Sequence, residues 1–384
     1  MLVRKKPRSG NNEANKTLAE KIEDYIKENI DYINSSIELI FIEKEPEKNS
    51  LYETINKLGE VTNFELLKLP QLISNIQKIS MAYKVNIDEN NLNVATQVEE
   101  KLTGYRNIAL FGVDSRDSDL GEGNRSDCII IASINNDTKE INLVSVYRDT
   151  YVDIDGYGLD KITHAYSYGG PELAVKTLNK NLDLNIKEFV TVNFDAVADA
   201  VDALGGVNIR IEEDEISAIN SAIRNTAKHT GLEAEYIENA GMQTLNGVQA
   251  VGYSRVRYTE GGDYRRTERM RAVIEAMFKK LKDKSIGEIN SFADKVLPEV
   301  YTNLEPNEVL SLTPNMLSYK MSESIGWPYK TRGITTDRWY GVPVTLEENV
   351  KQLHKEIFGE EDYTVSEAVK DINDAIISKT GYSK

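Results

Sequence analysis

The chain has 384 residues, of which 40% are hydrophobic, and it carries a formal net charge of −16 at pH 7. This size and apolar content allow either two domains or one large domain with appendages. The acidic balance argues against non-specific nucleic-acid binding, which requires a basic surface. The only cysteine, Cys128, excludes an internal disulfide framework; it lies in the apolar run CIIIASI and is predicted to be a core residue.

The N-terminal region contains no predicted membrane span and no secretory signal. Its most apolar stretch, IELIFI, has six residues, of which one is Glu38, and it is too short to cross a bilayer. Polar residues follow the basic start MLVRKKPRSGNN, where the apolar part of a signal would stand. We therefore expect any membrane-targeting segment to lie outside this chain. Residues 1–14 are predicted to be a disordered basic tail, and the spacing of apolar residues predicts a helical accessory region over residues 15–100.

Residues 101–360 have a different pattern and are predicted to form the main domain. The apolar runs IALFGV, CIIIASI and INLVSVY predict three buried strands. A helix at Pro171–Leu182, a strand at FVTVNF, a helix at Asp195–Leu204 and a strand at VNIRI follow in order. Strands that alternate with helices predict an α/β fold in which helices cover both faces of a sheet. The polar segment Glu212–Glu238 is predicted to be irregular or partly helical.

A long helix is predicted from Asp263 to Leu281, because apolar residues recur there at three- and four-residue steps. The apolar stripe consists of Met270, Val273, Ile274, Met277, Phe278 and Leu281. Arg266 lies within the stripe and Arg269 at its flank, whereas Arg265 and Arg271 are predicted to be surface charges. The stripe is either part of the core or one wall of an apolar tunnel.

The C-terminal part of the chain is predicted to contain shorter helices after about Ser285. The segment IGWPYKTRGITTDRWYGVPV is predicted to be a loop. Residues 361–384 are predicted to be a C-terminal helix and tail, with the helix at Ser366–Ile377.

Arginines are concentrated in one short segment: six of the sixteen in the chain lie between Arg255 and Arg271. A planar guanidinium matches phosphate oxygens, so such a cluster in an acidic protein indicates a site for a strongly anionic ligand. In an extended segment, Arg255 and Arg257 would share one face. Arg266 projects from the first turn of the predicted helix toward the domain interior, where an unpaired cation is costly. The alternative is that these arginines pair with carboxylates, as Arg266 would with a buried Asp or Glu.

The ends of the three predicted strands carry acid–arginine pairs. Asp114 follows the first strand, Arg125 and Asp127 precede the second, and Arg148 and Asp149 follow the third. If the second strand is antiparallel to its neighbours, all three groups meet at one edge of the sheet, where ligands of α/β sheets bind. Carboxylates among arginines suggest a Mg²⁺ ion that bridges to a phosphorylated ligand.

Several motifs together resemble the LytR–CpsA–Psr family, from about Tyr105 to Lys284. These motifs are FGVDSR, NRSDCIII, YRDTYVDI, KITHAYSYGG, DALGGV, LNGVQAVGYSRVRY and GDYRRTERMR. The resemblance implies an α/β/α layered domain with a central mixed sheet and a bound polyprenyl pyrophosphate. It implies Mg²⁺ (or Mn²⁺) at Asp114 and Asp127. It also implies that Asp149 orients Arg148 and that Asp263 is a metal ligand or base.

The pyrophosphate ligands implied by the resemblance are Arg125, Arg148, Arg255, Arg257 and Arg266. The arginine cluster offers Arg269 as a further ligand. The catalytic residues it implies are Arg148, Asp149, Asp263, Arg255 and Arg257. Two positions depart from the family's pattern. Tyr147 stands where the family usually has Pro, and Met270 stands where it usually has Gln, so a hydrogen-bonding side chain is lost there.

The function implied by the resemblance is transfer of a glycopolymer, such as a teichoic acid or capsule, from undecaprenyl pyrophosphate to peptidoglycan. It implies action on the outer face of the cytoplasmic membrane of a Gram-positive cell, with no nucleic-acid partner. Two alternatives remain at this stage: a hydrolase in which water replaces the sugar hydroxyl, and a scaffold protein that binds polyprenyl phosphate without turnover. A transcriptional regulator fits poorly with the acidic charge and the lack of a basic recognition helix.

Overall fold

The structure of the protein is a computed structural model that describes residues 87–88, 91–115, 119–257, 262–304 and 318–384. The side chains at 263, 286 and 290 are not described within these ranges. The predicted basic tail 1–14 and nearly all of the predicted accessory region 15–100 lie outside the described residues. All described residues belong to one compact unit, 75–384.

A six-stranded mixed sheet forms the centre of the described domain, in the order β10–β3–β2–β1–β6–β9. Its strands are β1 (Tyr105–Val113), β2 (Ser126–Asn135), β3 (Glu140–Val146), β6 (Glu188–Val192), β9 (Tyr301–Thr302) and β10 (Lys320–Trp327). Strand β2 runs antiparallel to both β1 and β3, as the sequence analysis required for its acid–arginine pairs to meet. Strand β1 is parallel to β6, and β3 is parallel to β10.

Helices cover both faces of this sheet. The helices of the described residues are α1 (Thr96–Lys101), α2 (Ile162–Leu182), α3 (Phe194–Ala203), α4 (Ile216–Thr230), α5 (Gly247–Arg255), α6 (Gly262–Lys282), α7 (Ile286–Val296), α8 (Leu346–Phe358) and α9 (Glu367–Thr380). Alternate residues of β2 point to opposite faces: Ile129 and Ile131 join the main core with α2, α8 and α9, whereas Ile130 packs near Met270 and Ile274 of α6. The predicted α/β/α layering is therefore confirmed.

A second core lies beside the sheet. Helices α3, α4 and α5 and the hairpin of β7 (Val207–Ile211) and β8 (Gly241–Leu245) surround it, and Val273 of α6 closes it. The segment that was predicted to be irregular or partly helical contains the regular helix α4. Helix α5 begins with a capping box, in which the Asn246 side chain accepts from the Gln249 amide and the Gln249 side chain accepts from the Asn246 amide.

The segment IGWPYKTRGITTDRWYGVPV was wrongly predicted to be a loop. It contains the end of β10 and the hairpin of β11 (Thr331–Thr335) and β12 (Trp339–Pro343). The remaining strands, β4 (Tyr151–Ile154) and β5 (Gly158–Lys161), form another hairpin. The glycines and polar residues of the β11–β12 segment conceal its strand pattern: β11 is largely exposed, whereas β12 is buried from Tyr340 to Pro343.

Both predicted boundaries of the main domain fall inside its core. Leu92 and Val98 are buried there, although the accessory region was predicted to extend to residue 100. Val369 of α9 is also buried there. Asp183 fixes this C-terminal segment, because its carboxylate accepts hydrogen bonds from the Ser366 amide (2.7 Å) and hydroxyl (2.6 Å) and from the Tyr363 hydroxyl (3.1 Å).

Candidate functional site

The ends of β1 and β3 and the start of β2 meet at one edge of the sheet. Val113 at the end of β1 pairs with Ser126 at the start of β2, and Gly112 pairs with Cys128. The register therefore skips Asp127, which lies at a β-bulge. A bulge re-aims a side chain and is common beside active sites. Asp127 thus projects out of the regular ladder at the edge where Asp114 follows β1 and Arg148 follows β3.

Asp127 lies at the centre of three arginines, and we call these four residues the Asp127 cluster: Asp127, Arg148, Arg257 and Arg266. Arg148 donates from Nη1 to one carboxylate oxygen of Asp127. Arg257 donates from Nη2 to the other oxygen at 2.9 Å. The Nη1 atom of Arg266 lies 3.8 Å from that same oxygen. The three arginines come from a strand end, a loop and a helix, so only the tertiary fold brings them together.

Arg266 is the buried member of the Asp127 cluster. Its side chain is 2% exposed, as its place in the apolar stripe of α6 predicted. Its Nη2 also donates to the main-chain oxygen of Asp127 at 3.2 Å. Arg266 therefore lies beside an acid, as the alternative expected. That acid is Asp127, which two further arginines share, so the pair lies inside the predicted anion site.

Arg255 lies beside the cluster, at the last residue of α5. Its guanidinium stacks on the ring of Phe194 at 4.2 Å and donates to the Thr226 hydroxyl at 3.2 Å. Burial lowers the pKa of Arg255, the negative charge of Asp114 opposes that shift, and the nearby Arg257 adds to it. The prediction that Arg255 and Arg257 share a face of an extended segment was wrong, since a helix ends between them.

Asp149 has a closer partner than the one predicted for it. The Nζ atom of Lys161 lies 2.7 Å from its carboxylate, whereas the Nε atom of Arg148 lies 3.8 Å away. Sequence reasoning missed Lys161, although it stands in the motif KITHAYSYGG. Thr163 in that motif was also missed: its hydroxyl donates to the Ser126 oxygen (2.9 Å) and its amide to the Arg148 oxygen (3.1 Å), so it holds two strand ends together.

Among the described side chains at this edge of the sheet, positive charges outnumber negative ones. The side chains involved are the cations Arg148, Arg255, Arg257, Arg266 and Lys161 and the anions Asp114, Asp127 and Asp149. Arg125, at the start of β2, is exposed beside them. A local cationic excess in a chain with a net charge of −16 favours binding of a ligand with at least two negative charges.

Comparison with known proteins identifies the family. A family model described as the LytR_cpsA_psr family matches residues 71–356. The chain belongs to the LytR_cpsA_psr family. The resemblance found in its motifs is therefore confirmed, and so is the fold that the resemblance implied.

Relatives of this family member are named as teichoic acid transferases. One, "Polyisoprenyl-teichoic acid--peptidoglycan teichoic acid transferase TagU" of Oceanobacillus iheyensis, is 34% identical over 66% of this chain and 75% of its own length. The TagT protein of Bacillus subtilis, named as the same kind of transferase, is 32% identical over 59% of this chain and 70% of its own length.

Solved structures of the family share the fold. "TagT bound to LIIa-WTA" has a TM-score of 0.55 and 26% identity, over 68% of this chain and 93% of the other. "LytR-CPS2A-psr family protein YwtF (TagT) with bound octaprenyl pyrophosphate lipid" has a TM-score of 0.50 and 27% identity, over 67% of this chain and 92% of the other.

Two arginines of this LytR_cpsA_psr domain do not lie where the sequence placed them. Arg269, predicted as a further pyrophosphate ligand, pairs instead with the buried carboxylate of Glu215 at 2.6 Å and with the Val256 oxygen at 3.0 Å. Arg271, predicted to be a surface charge, is 6% exposed, and its Nε donates to the Ser324 hydroxyl at 2.8 Å. Arg265 is half exposed, as predicted.

The metal site remains a prediction. Asp114 is exposed at the end of β1 and Asp127 lies at the facing bulge, so the carboxylates meet the requirement of Mg²⁺ for one or two acidic ligands beside phosphate oxygens. Arginines already hold the Asp127 carboxylate, so this edge of the sheet suits an anion at least as well as a metal cation. The described ranges contain no group of three or more His, Cys, Asp or Glu suited to hold a metal. The side chain of Asp263 is outside the described residues.

Cys128 and Tyr147 both pack against neighbouring elements: Cys128 faces α6, and Tyr147 lies beside β10. Burial raises the pKa of the Cys128 thiol to about 12, which agrees with a core residue rather than a nucleophile. Tyr147 fits beside β10 because Gly326 has no side chain: a Cβ atom there would lie 1.9 Å from the tyrosine hydroxyl.

In the part of the chain that the structure describes, no helix is long and apolar enough to span a membrane.

Proposed function

We propose that this protein transfers a glycopolymer from a polyprenyl pyrophosphate carrier to peptidoglycan. The observation that carries the proposal is the cationic excess around Asp127, assembled from three segments in an acidic chain. The names of the relatives and of the lipid-bound family structure support both the substrate class and the reaction class. The acting face would be the outer side of the cytoplasmic membrane of a Gram-positive cell.

The arginines perform most of the proposed catalysis. Arg148, Arg257 and Arg266 hold the pyrophosphate oxygens and neutralise the charge that grows on the bridging oxygen in the transition state. A hydroxyl oxygen of the acceptor attacks the phosphorus that carries the glycan. The bond from that phosphorus to the polyprenyl phosphate breaks, and the leaving phosphate takes the hydroxyl proton. The glycan is then joined to the acceptor through a phosphodiester.

A divalent cation is part of the proposal. Asp114 and Asp127 would hold Mg²⁺ (or Mn²⁺), which would supply positive charge beside the phosphate oxygens. When pyrophosphate arrives, its oxygens compete with Asp127 for Arg148 and Arg257. Asp127, released from these arginines, would then be able to act as the second acidic ligand of the cation. Asp149 and Lys161 remain paired and keep the end of β3 in place.

The polyprenyl chain requires an apolar surface near the Asp127 cluster. The stripe of α6 offers one: Val273 is buried, whereas Met270, Ile274 and Met277 keep part of their surface exposed. Met270 and Ile274 pack against the face of β2 that begins at Cys128. We propose that the lipid lies along the partly exposed side of the α6 stripe, with Met270 enlarging the apolar area where the family usually has Gln.

Substitution of Arg257 tests the proposed function. Arg257→Ala should lower the rate of transfer from a lipid-linked teichoic acid precursor to peptidoglycan by about a hundredfold, because one donor to the developing charge is lost. The matched control is Arg265→Ala, which removes a half-exposed arginine outside the cluster. Unchanged transfer by Arg257→Ala would contradict the assignment. Release of the glycan without any acceptor would indicate hydrolysis instead.

Removal of the metal tests the role that we propose for the divalent cation. EDTA should abolish transfer, and Mg²⁺ or Mn²⁺ should restore it in the wild type. Asp114→Asn should require a higher metal concentration, because one anionic ligand becomes neutral. Full activity in EDTA would remove the cation from the proposal and leave the arginine site intact.

A further inference from the structure

A shallow cleft with aromatic walls lies beside the Asp127 cluster. Tyr147, Tyr264 and Trp339 line it together with Asp149 and Thr331. It is partly open to solvent, so a ligand would lie on its aromatic surface rather than inside an enclosed cavity. The cleft lies between the first turn of α6 and the β11–β12 hairpin, and neither the sequence motifs nor the family's implied site residues include Trp339 or Thr331.

Trp339 forms a flat platform on the hairpin. Its indole covers two glycines that face each other across the strands, Gly333 and Gly341. A Cβ atom at Gly333 would lie 2.6 Å from the indole Nε1, and one at Gly341 would lie 3.4 Å from Cη2. The absence of side chains at this pair allows the ring to lie on the hairpin. Trp339 is nevertheless 45% exposed, so part of its ring surface remains accessible.

The opposite wall is held in place by Tyr264. Its ring meets the ring of Tyr147 edge to face, with the centroids 4.4 Å apart. Its hydroxyl lies 3.0 Å from the Thr331 hydroxyl, which joins the first turn of α6 to the hairpin. Tyr264 is 43% exposed. Two partly exposed aromatic rings therefore belong to elements that are fixed to each other.

Asp149 connects this cleft to the anion site. It lines the cleft, and its carboxylate lies 3.8 Å from the Nε atom of Arg148, a member of the Asp127 cluster. Lys161 holds the same carboxylate at 2.7 Å and fixes its position. The cleft and the Asp127 cluster are therefore neighbours through Asp149.

We propose that this cleft binds the pyranose ring of a saccharide whose phosphate or attacking hydroxyl lies at the Asp127 cluster. The C–H face of a sugar ring packs on aromatic rings, and its hydroxyls bond to carboxylate and hydroxyl groups such as those of Asp149 and Thr331. The inference rests on the proposed function and adds a subsite to it. The saccharide comes either from the lipid-linked donor or from the peptidoglycan acceptor, and both present the same chemistry.

Tryptophan fluorescence provides a direct test. The chain has two tryptophans, and Trp327 is fully buried with its Nε1 donating to the Asn349 oxygen, so quenching by acrylamide reports Trp339. A soluble N-acetylglucosamine oligosaccharide represents the acceptor, and the lipid-free donor glycan represents the other source. The arm that protects Trp339 from acrylamide identifies the source. Absence of protection by both probes at saturating concentrations overturns the proposal.

Kinetics provide the second measurement. Trp339→Ala should raise KM for the identified source about tenfold with little change in kcat, and Trp339→Phe should restore most of the loss because a ring remains. Tyr236→Ala is the matched control, since Tyr236 is an aromatic of similar exposure that does not line the cleft. An unchanged KM for both substrates in Trp339→Ala overturns the subsite.

The two proposals fail in different ways. If the wild type transfers glycan and Trp339→Ala does so with the same KM values, the subsite is wrong and the proposed function stands. If the wild type transfers nothing while a saccharide still protects Trp339, the proposed function is wrong and the subsite stands.

Discussion

Arg266 and Arg269 are three residues apart on α6, both 2% exposed, and they serve different purposes. Arg269 is enclosed with Glu215, which is itself only 8% exposed. Arg266 contacts Asp127, which is 21% exposed and shared with two other arginines. The first arrangement is buried on both sides, and the half-exposed Arg265 lies 3.7 Å from the same Glu215 oxygen. The second leaves cations in excess at an accessible edge, so burial of an arginine does not by itself distinguish a structural pair from a binding site.

The largest effect is expected when the closed pair is broken. Arg269→Ala leaves the Glu215 carboxylate buried without its nearest cation, so we expect a loss of about 3–5 kcal/mol in the free energy of unfolding. Urea denaturation measures it. Arg265→Ala, on the same helix and half exposed, should change the stability by less than about 0.5 kcal/mol. Equal effects of the two substitutions would contradict the structural role of Arg269.

A buried histidine differs from the two buried arginines, because a histidine can give up its proton and become neutral whereas an arginine stays charged. His354 is fully buried and stacks on Tyr363 at 3.6 Å, and burial lowers its pKa to about 4. The unfolded chain takes up a proton near pH 6.5, whereas the folded protein does so only near pH 4. Stability is therefore full above pH 6.5 and falls as the pH drops toward 4, by roughly 3 kcal/mol.

The variant His354→Phe isolates this contribution. It keeps a ring against Tyr363 and has no titratable group, so its stability should fall less between pH 6.5 and 4 than that of the wild type. Burial raises the pKa of the neighbouring Asp183, which gives the opposite trend. That trend is present in both proteins and cancels in their difference. Parallel pH profiles of chemical denaturation would contradict the assignment.

Ligand binding should separate the open cluster from the closed pair. Inorganic pyrophosphate at about 100 times its Kd should stabilise the folded protein by about 2.7 kcal/mol, because it binds only the assembled cluster. Arg257 is 44% exposed, so Arg257→Ala should fold normally and lose most of this stabilisation. Thermal unfolding with and without pyrophosphate measures both. As a control, pyrophosphate should stabilise Arg265→Ala as much as it stabilises the wild type.

The smallest effect is expected at Arg271. Its Nη1 atom is buried and has no hydrogen-bond partner among the described residues, and burial lowers its pKa. Arg271→Met keeps most of the side-chain length and removes a poorly compensated charge, so we expect a change in stability within about 1 kcal/mol. A loss as large as that of Arg269→Ala would show that Arg271 has an essential electrostatic role.

The sequence predicted the main strands and α6 because apolar periodicity is a local property. It also placed Arg266 inside the domain, since helical spacing fixes which residues share a face. The β11–β12 hairpin escaped prediction, because its strands are short, each contains a glycine, and β11 is largely exposed. Arg271 was misplaced for a related reason: helical spacing puts it off the apolar stripe, but β10 extends far enough to cover it.

The sequence by itself determined the family, the α/β alternation and the residues that carry charge at strand ends. Only the tertiary structure decided which of those charges meet. Asp127 meets Arg148 and Arg257, which lie 21 and 130 positions away in the sequence. Arg269 meets Glu215, which lies 54 positions away. The link between Asp149 and Lys161 likewise joins residues whose pairing local spacing does not reveal. The Asp127 cluster requires four separate parts of the chain to come together, because a guanidinium binds only what lies within hydrogen-bond distance.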